Sequence, residues 1–330
     1  MKKIVLFVLV CVVLMAQNSL AQTASAKHLP IIDVHVHAMK VNANFASDMS
    51  PWFLSNMPGT DPNEPTPKFL NADGAIMLKA AKSDQEFQDE LMQTMKRLNM
   101  TIVASGDPQV IRNWKKAAAP DRVIPSIGFS SASGISVQAF EDSLKTGFYK
   151  VVGEVGLQYQ GLSPSDPSVD KYFEVAERLN VPVAIHMGTG GNGMANLTSP
   201  KYRASMGNPL LLEDLLARHP KLKVWVMHAG YPMIDEMIAL MGANSHVYVD
   251  LAGMIWSYPL EEIHLYLKRL VQAGFGKRIM YGTDLMVWPK LLETSLGVIE
   301  NANYLSFEQK RDIFFNNAVR FFRLDPTKYQ

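Results

Sequence analysis

Ile31-Ile32-Asp33-Val34-His35-Val36 is a short run dominated by β-branched residues, and it reads as a β-strand. Seven more such runs follow, at residues 101–104, 123–129, 149–155, 182–186, 222–228, 246–251 and 278–283, each with a segment of helical periodicity after it. Strands that alternate with helices point to a parallel sheet. Ser83-Asp84-Gln85-Glu86 is a capping box opening a helix over 86–98, and Ser306-Phe307-Glu308-Gln309 offers an N-cap for a C-terminal helix that ends at Phe322. Asn208-Pro209 and Tyr231-Pro232 place proline in helix first turns, where its missing N–H costs nothing. Eight βα units suit an α/β fold of the (β/α)8 TIM-barrel type, one domain over residues 22–330, better than a doubly wound sheet, which has fewer strands.

The chain has 330 residues, 48% hydrophobic and 19% charged, which excludes disorder. Lys plus Arg is 32 against 31 Asp plus Glu, a formal charge of +1. That balance argues against nucleic acid or an anionic membrane surface as partner and leaves a small molecule. Met1-Lys2-Lys3, an apolar run over 4–16 and Ser19-Leu20-Ala21 form the three parts of a Sec-type signal peptide over residues 1–21. The expectation is export to the periplasm or beyond, with no membrane anchor kept after cleavage. Cleavage removes Cys11, the only cysteine, so any metal must be held by nitrogen and oxygen. Residues 39–82 hold Pro51, Pro58, Pro62, Pro65, Pro67 and the pair Trp52-Phe53, and read as a long insert after the first strand, a lid or a packed excursion. Gly188-Thr189-Gly190-Gly191-Asn192-Gly193 begins a second long loop and lacks the Gly-Lys-Ser/Thr of a phosphate loop.

Four of the eight histidines fall at strand ends. His35 and His37 are two apart, so both side chains point to one face of the strand, the interior in a barrel. His186 and His228 end the fifth and sixth strands, Glu154 the fourth in Val152-Gly153-Glu154-Val155-Gly156, and Asp284 follows the eighth in Tyr281-Gly282-Thr283-Asp284. Parallel barrel strands all finish at one mouth, so these nitrogen and oxygen donors converge there as a metal site. Zn²⁺ fits the set first, as one ion or two, and Mn²⁺, Fe²⁺ or Co²⁺ fit the same ligands. A catalytic metal lowers the pKa of water, and Asp284 and His228 have the chemistry to handle the protons.

Those motifs, with Ile185-His186, Val226-Met227-His228-Ala229-Gly230 and Asn316-Asn317-Ala318-Val319-Arg320-Phe321-Phe322, resemble the amidohydrolase superfamily. The resemblance is to the amidohydrolase-related branch that includes the aminocarboxymuconate semialdehyde decarboxylase-like proteins. It implies that His35, His37 and Asp284 bind one metal and that His186 binds the same ion or a second. It implies that His228 positions water in a one-metal site and binds the second ion in a two-metal site. Many two-metal members bridge with a carboxylated lysine; here Glu154 stands at that strand end, as in the TatD-like nucleases. Lys150 shares its parity but lies about 13 Å deeper at ~3.3 Å per residue, too far to bridge.

The expected function is an exported metal-dependent hydrolase of an amide, lactone or ester. The alternatives are non-oxidative decarboxylation at the same site and, from another class, a non-catalytic small-molecule-binding barrel. The resemblance also implies a homodimer. Arg112, Lys201 and Arg203 are candidates for holding a substrate carboxylate, and Trp52, Trp256, Tyr258 and Trp288 for walling an apolar pocket, against solvated charge and loop packing respectively. His28, His219, His246 and His264 carry no site argument, His246 because it starts a strand, at the other face of a barrel.

Overall fold

The computed structural model of the protein describes residues 29–41, 47–52, 63, 77–129, 134–191, 193–197 and 199–329. The signal-peptide reading, His28, Phe53 and Pro58, Pro62, Pro65 and Pro67 of the insert lie outside the described residues.

All eight expected strands form: β1 (Ile31–Ala38), β2 (Met100–Gly106), β3 (Val123–Ile127), β4 (Val151–Val155), β5 (Val183–His186), β6 (Val224–Met227), β7 (Tyr248–Asp250) and β8 (Ile279–Met280). They pair in chain order, always parallel. Past β8 the ring closes on β1: Val34 N–H donates to Tyr281 O (3.0 Å), Asp284 N–H to His35 O (2.8 Å) and His37 N–H to Leu285 O (2.8 Å). The fold is a (β/α)8 TIM barrel. Register shifts fall between Asp33 and Val36 and between Val152 and Val155, beside His35 and Glu154, where an irregular strand re-aims a side chain.

A helix follows each strand: α1 (Asp84–Arg97), α2 (Pro108–Ala117), α3 (Val137–Lys145), α4 (Asp170–Arg178), α5 (Glu213–Arg218), α6 (Ile234–Ala243), α7 (Leu260–Leu270) and α8 (Leu291–Glu300). The expected box at Ser83 is half formed. Ser83 Oγ accepts from Glu86 N–H (3.1 Å), but the Glu86 carboxylate takes Lys82 N–H (2.8 Å), the amide that the entering chain presents to it. Ser306 and Gln309 complete theirs, and the C-terminal helix runs through Phe307–Arg311, a wider π turn at Asp312–Asn316, and Asn317–Phe322. Pro209 opens a 3-10 turn as expected. Pro232 does not sit in a helix first turn: α6 starts at Ile234, because the chain leaves β6 through left-handed φ at His228 (58°), Ala229 (48°) and Gly230 (66°).

The core has two layers. One cluster joins Ile32 and Val34 of β1, Val103, Ile124, Val151, Ala184, Trp225, Met227 and Met280 with Phe315, Ala318, Phe321 and Tyr329. Since every strand but β7 gives a buried residue to it and Tyr248 of β7 packs against it, this is the barrel interior, floored by the C-terminal segment. The larger cluster fills the space between strands and helices. Asn317, buried, ties the floor to β8: its Nδ2 donates to Gly276 O (2.9 Å) and Ile279 O (2.6 Å). The described parts of the insert pack beside the mouth, where Met49 and Leu78 form an antiparallel bridge and Trp288 Nε1–H donates to Ser47 O (2.9 Å).

Candidate active site

The C-terminal segment fills the floor of the barrel interior, and the opposite mouth gathers the six residues singled out in the sequence. Glu154 stands at the centre. Its Oε2 lies 3.4 Å from His35 Nε2 and 3.2 Å from His37 Nε2, and its Oε1 accepts from His186 Nδ1 and lies 3.7 Å from His228 Nε2. Asp284 closes the other side, Oδ1 at 2.8 Å from His37 Nε2 and 3.5 Å from His35 Nε2. Two groups of ligand atoms lie within 4.8 Å of one another: His35, Glu154 and His228, and His35, His37 and Asp284. Both His35 ring nitrogens and Asp284 Oδ1 are buried and face charged partners: Glu154, Asp250 and Asp284 for His35, and His37 and His35 for Asp284. Lone pairs of this kind, in a nitrogen and oxygen set, fit a borderline divalent cation.

Backbone geometry aims these groups. His228 and Asp284 both hold left-handed φ, 58° and 60°, a conformation uncommon outside glycine and costing of order 1–3 kcal/mol each. Gly253, at φ 68°, passes so close that a Cβ there would meet His228 Nδ1 at 2.9 Å and Asp284 Oδ2 at 3.0 Å. His228 Nδ1–H donates to Ala252 O (2.8 Å), which turns Nε2 inward, 2.9 Å from His186 Nδ1.

Three supporting residues were missed in the sequence. Asp250, fully buried at the end of β7, accepts from His228 N–H (2.8 Å), Ala252 N–H (3.1 Å) and Trp225 Nε1–H (3.1 Å), and its Oδ2 lies 3.4 Å from His35 Nδ1. It is an acid at the end of a barrel strand, the one available signal. Tyr159, in a 3-10 turn after β4, places its hydroxyl 2.9 Å from His186 Nε2. Asp33 accepts from Thr283 Oγ1 (2.6 Å), Thr283 N–H (3.0 Å) and His35 N–H (3.0 Å), tying β1 to the turn that carries Asp284.

Burial and charge oppose each other throughout. Burial would lower His35 and His37, but the Asp284 and Glu154 carboxylates, joined for His35 by Asp250, overcome it; His35 ends well above the usual imidazole range and His37 is pushed up to about 9. Burial would raise Glu154, yet its contacts with four histidines hold it well below the usual carboxylate range, and Asp284 is lowered against burial by His35 and His37. His186 is lowered by burial and the neighbouring His228. His228 is raised against burial by Glu154 and Asp284. Burial pushes Asp33 up to about 7 despite its bonds.

Two cavities flank the cluster. One, about 570 Å³, opens between Gly106, Gly128, Phe129 and Gly156. The other, about 250 Å³, is walled by Tyr231, Met254, Trp256 and Tyr258, and Tyr159, His186, Asp284 and Met286 face both. Trp256 and Tyr258 thus wall a pocket as expected, while Trp52 and Trp288 do not line it; Trp288 packs behind Trp256 at 5.9 Å between ring centroids. The Thr189-Gly190-Gly191 stretch lines the same cavity, with Gly190 N–H donating to Tyr202 Oη (2.8 Å).

The cationic candidates lie elsewhere. Arg112 bonds Gln109 on its own helix at 3.2 Å, Arg203 donates to Pro200 O (2.9 Å) and Tyr202 O (2.7 Å), and Lys201 is exposed. Lys150 is exposed at the floor end, lining a cleft with Arg323 and Lys328. His219 pairs with Asp170 (3.2 Å) on the outer shell, His264 meets Tyr304 Oη (3.0 Å), and His246 lines neither cavity.

Residues 32–324 match the family described as Amidohydrolase. No curated protein sequence matches the chain. Among solved structures, an uncharacterized TIM-barrel protein from Bordetella bronchiseptica is similar, with a TM-score of 0.59 at 16% identity over 89% of this chain and 99% of its own. A probable 2-pyrone-4,6-dicarboxylic acid hydrolase from Acinetobacter baumannii, with citric acid bound, gives 0.55 at 15% identity over 90% and 100%. A 5-carboxyvanillate decarboxylase from Novosphingobium aromaticivorans, complexed with manganese and 4-hydroxy-3-methoxy-5-nitrobenzoic acid, gives 0.51 at 15% identity over 70% and 79%.

Proposed function

Because the chain belongs to the amidohydrolase family, and so to a family of metal-dependent enzymes, we propose that it hydrolyses an amide, lactone or ester bond of a small molecule at the mouth of the barrel. One observation carries this reading: four imidazoles and two carboxylates converge at the mouth, with the His35, His37 and His228 ring nitrogens 2.8–3.7 Å from Glu154 and Asp284 oxygens and His186 on Glu154.

We assign His35, His37, Glu154, His186, His228 and Asp284 to holding the metal, with Zn²⁺ favoured and Mn²⁺, Fe²⁺ or Co²⁺ accepted by the same donors. Glu154 favours two ions over one, since Oε2 faces His35 and His37 while Oε1 faces His186 and His228. When bound, the metal polarises the substrate carbonyl and lowers the pKa of water. Asp284, kept ionised by its histidine neighbours, takes the proton from the attacking water and returns one to the leaving oxygen or nitrogen. Asp250 and Ala252 O hold the His228 ring, and Tyr159 holds that of His186, so neither has to reorient during turnover. With a single ion, His228 Nε2 is free to share the proton work.

The test is metal content per chain by plasma mass spectrometry, with turnover assayed on lactones and esters. We expect about two equivalents, and loss of both metal and turnover in His37→Ala with the helical spectrum retained. Carbon dioxide release without hydrolysis would replace this reading with decarboxylation. A chain that takes up no Zn²⁺ or Mn²⁺ would refute it, and unchanged turnover in Asp284→Asn would refute the role given to that residue. We also propose export directed by residues 1–21, tested by N-terminal sequencing of protein secreted by a bacterial host, with Gln22 expected first.

A further inference from the structure

Neither cavity beside the ligand cluster is lined by a lysine or arginine among the described residues. The polar groups that the smaller one offers beyond the cluster are neutral: Thr189 Oγ1 and Tyr258 Oη, 3.0 Å apart, with Ser257 and the Tyr231 and Tyr159 hydroxyls nearby. The rest of its lining among the described residues is aromatic or thioether surface, with Trp256, Met254 and Met286, and the backbone of Gly190, Gly191 and Gly253. Tyr231 and Tyr258 stand tilted by 48° at 4.3 Å between centroids, leaving ring edges and faces for a flat guest.

A carboxylate carried to the aromatic end of this cavity, away from the ligand cluster, would lose its water and meet no lysine or arginine among the described residues, whereas an uncharged ring loses little and gains stacking. At about 250 Å³ the cavity is smaller than a pocket that encloses a whole drug-sized ligand, about 300–1,000 Å³, so one ring or a small fused pair enters. Resting on the hydrolase reading above, we propose that the substrate is a neutral aromatic lactone or aryl ester, its ring in the aromatic cavity and its carbonyl facing the ligand cluster. In the reaction the water oxygen bonds to the carbonyl carbon and the acyl C–O bond breaks. One water proton goes to the leaving phenolate, and the new acid releases the other to solvent.

The experiment is calorimetric titration of the metal-loaded full chain with coumarin and with coumarin-3-carboxylate, alongside a turnover assay on dihydrocoumarin. Coumarin is expected to bind at least tenfold more tightly than its carboxylate. Met286→Arg, placing a cation in the wall shared by both cavities, should narrow or invert that ratio, and Met194→Arg at the smaller cavity is the second variant should the first not fold. Equal binding of the two probes, tighter binding of the carboxylate, or binding of neither overturns the proposal. A chain that loads metal and opens dihydrocoumarin yet binds both probes equally loses the substrate class and keeps the hydrolase reading. One that takes up no metal but still prefers coumarin loses the hydrolase reading and keeps the preference of the cavity.

Discussion

Replacing Asp250 with asparagine changes one atom of a fully buried side chain and should disturb both the fold and the metal centre. The carboxylate accepts three hydrogen bonds, from His228 N–H, Ala252 N–H and Trp225 Nε1–H, while Oδ2 also faces His35 Nδ1 at 3.4 Å. Asparagine keeps one acceptor oxygen. If that oxygen serves the two backbone amides, the new NH₂ confronts the indole N–H; flipping the amide trades one unpaired donor for two. One buried unpaired donor costs about 1–3 kcal/mol. At about 2–4 °C per kcal/mol in a chain of this size, melting should fall by about 2–12 °C. Asp250→Ala orphans all three donors, about 3–9 kcal/mol against a total stability of about 5–15 kcal/mol, so most of it should fail to accumulate as folded protein. Since His35 loses the carboxylate that orients its ring, Asp250→Asn should also bind Zn²⁺ about 10–100-fold more weakly. Scanning calorimetry of metal-loaded and chelated protein, with a competitive Zn²⁺ titration, measures both. Melting within about 1 °C of the parent together with unchanged affinity would refute the positioning role.

Gly253→Ala adds a Cβ at φ 68° that meets His228 Nδ1 and Asp284 Oδ2, so it should cost about 1–2 kcal/mol of stability and most of the metal affinity; a folded variant with full metal content would contradict this. Asn317→Leu leaves Gly276 O and Ile279 O unpaired at the barrel floor, about 2–6 kcal/mol, and should lower melting by several degrees without changing Zn²⁺ affinity of the folded protein, as read by the same two assays. In metal-free protein His37 is raised from 6.5 to about 9, so its contribution to stability is full below pH 6.5 and is lost as pH rises through about 9. Chelated protein should therefore melt progressively lower from pH 7 to 10. His37→Ala should flatten part of that slope, and an unaltered slope would assign it to other groups.

The strand sequence shows what one chain can disclose about its own fold. Parallel strands covered on both faces must be apolar nearly throughout, so β2, β3, β5 and β6 announce themselves, and polar residues such as His35, Glu154 and Asp250 stand out against that background. His35 and His37 were legible because strand parity is a local rule, and His186, His228 and Asp284 because every parallel strand ends at the same mouth. Asp250 obeys that same rule and was passed over: no histidine beside it hinted at metal, and its partners Trp225 and His228 meet it only through the pairing of β6 with β7. Tyr159 sits in a turn whose direction no periodicity specifies, and Gly253 matters through what it leaves out. The misread proline has the same origin. Tyr231-Pro232 looks like a helix start, but the turn at His228 to Gly230 must first swing the imidazole over the mouth, and that requirement belongs to the site rather than to the helix. The irregular backbone at β1, at β4 and in the turns after β6 and β8 falls beside the histidine and carboxylate cluster, as expected if regularity has been given up there to aim side chains.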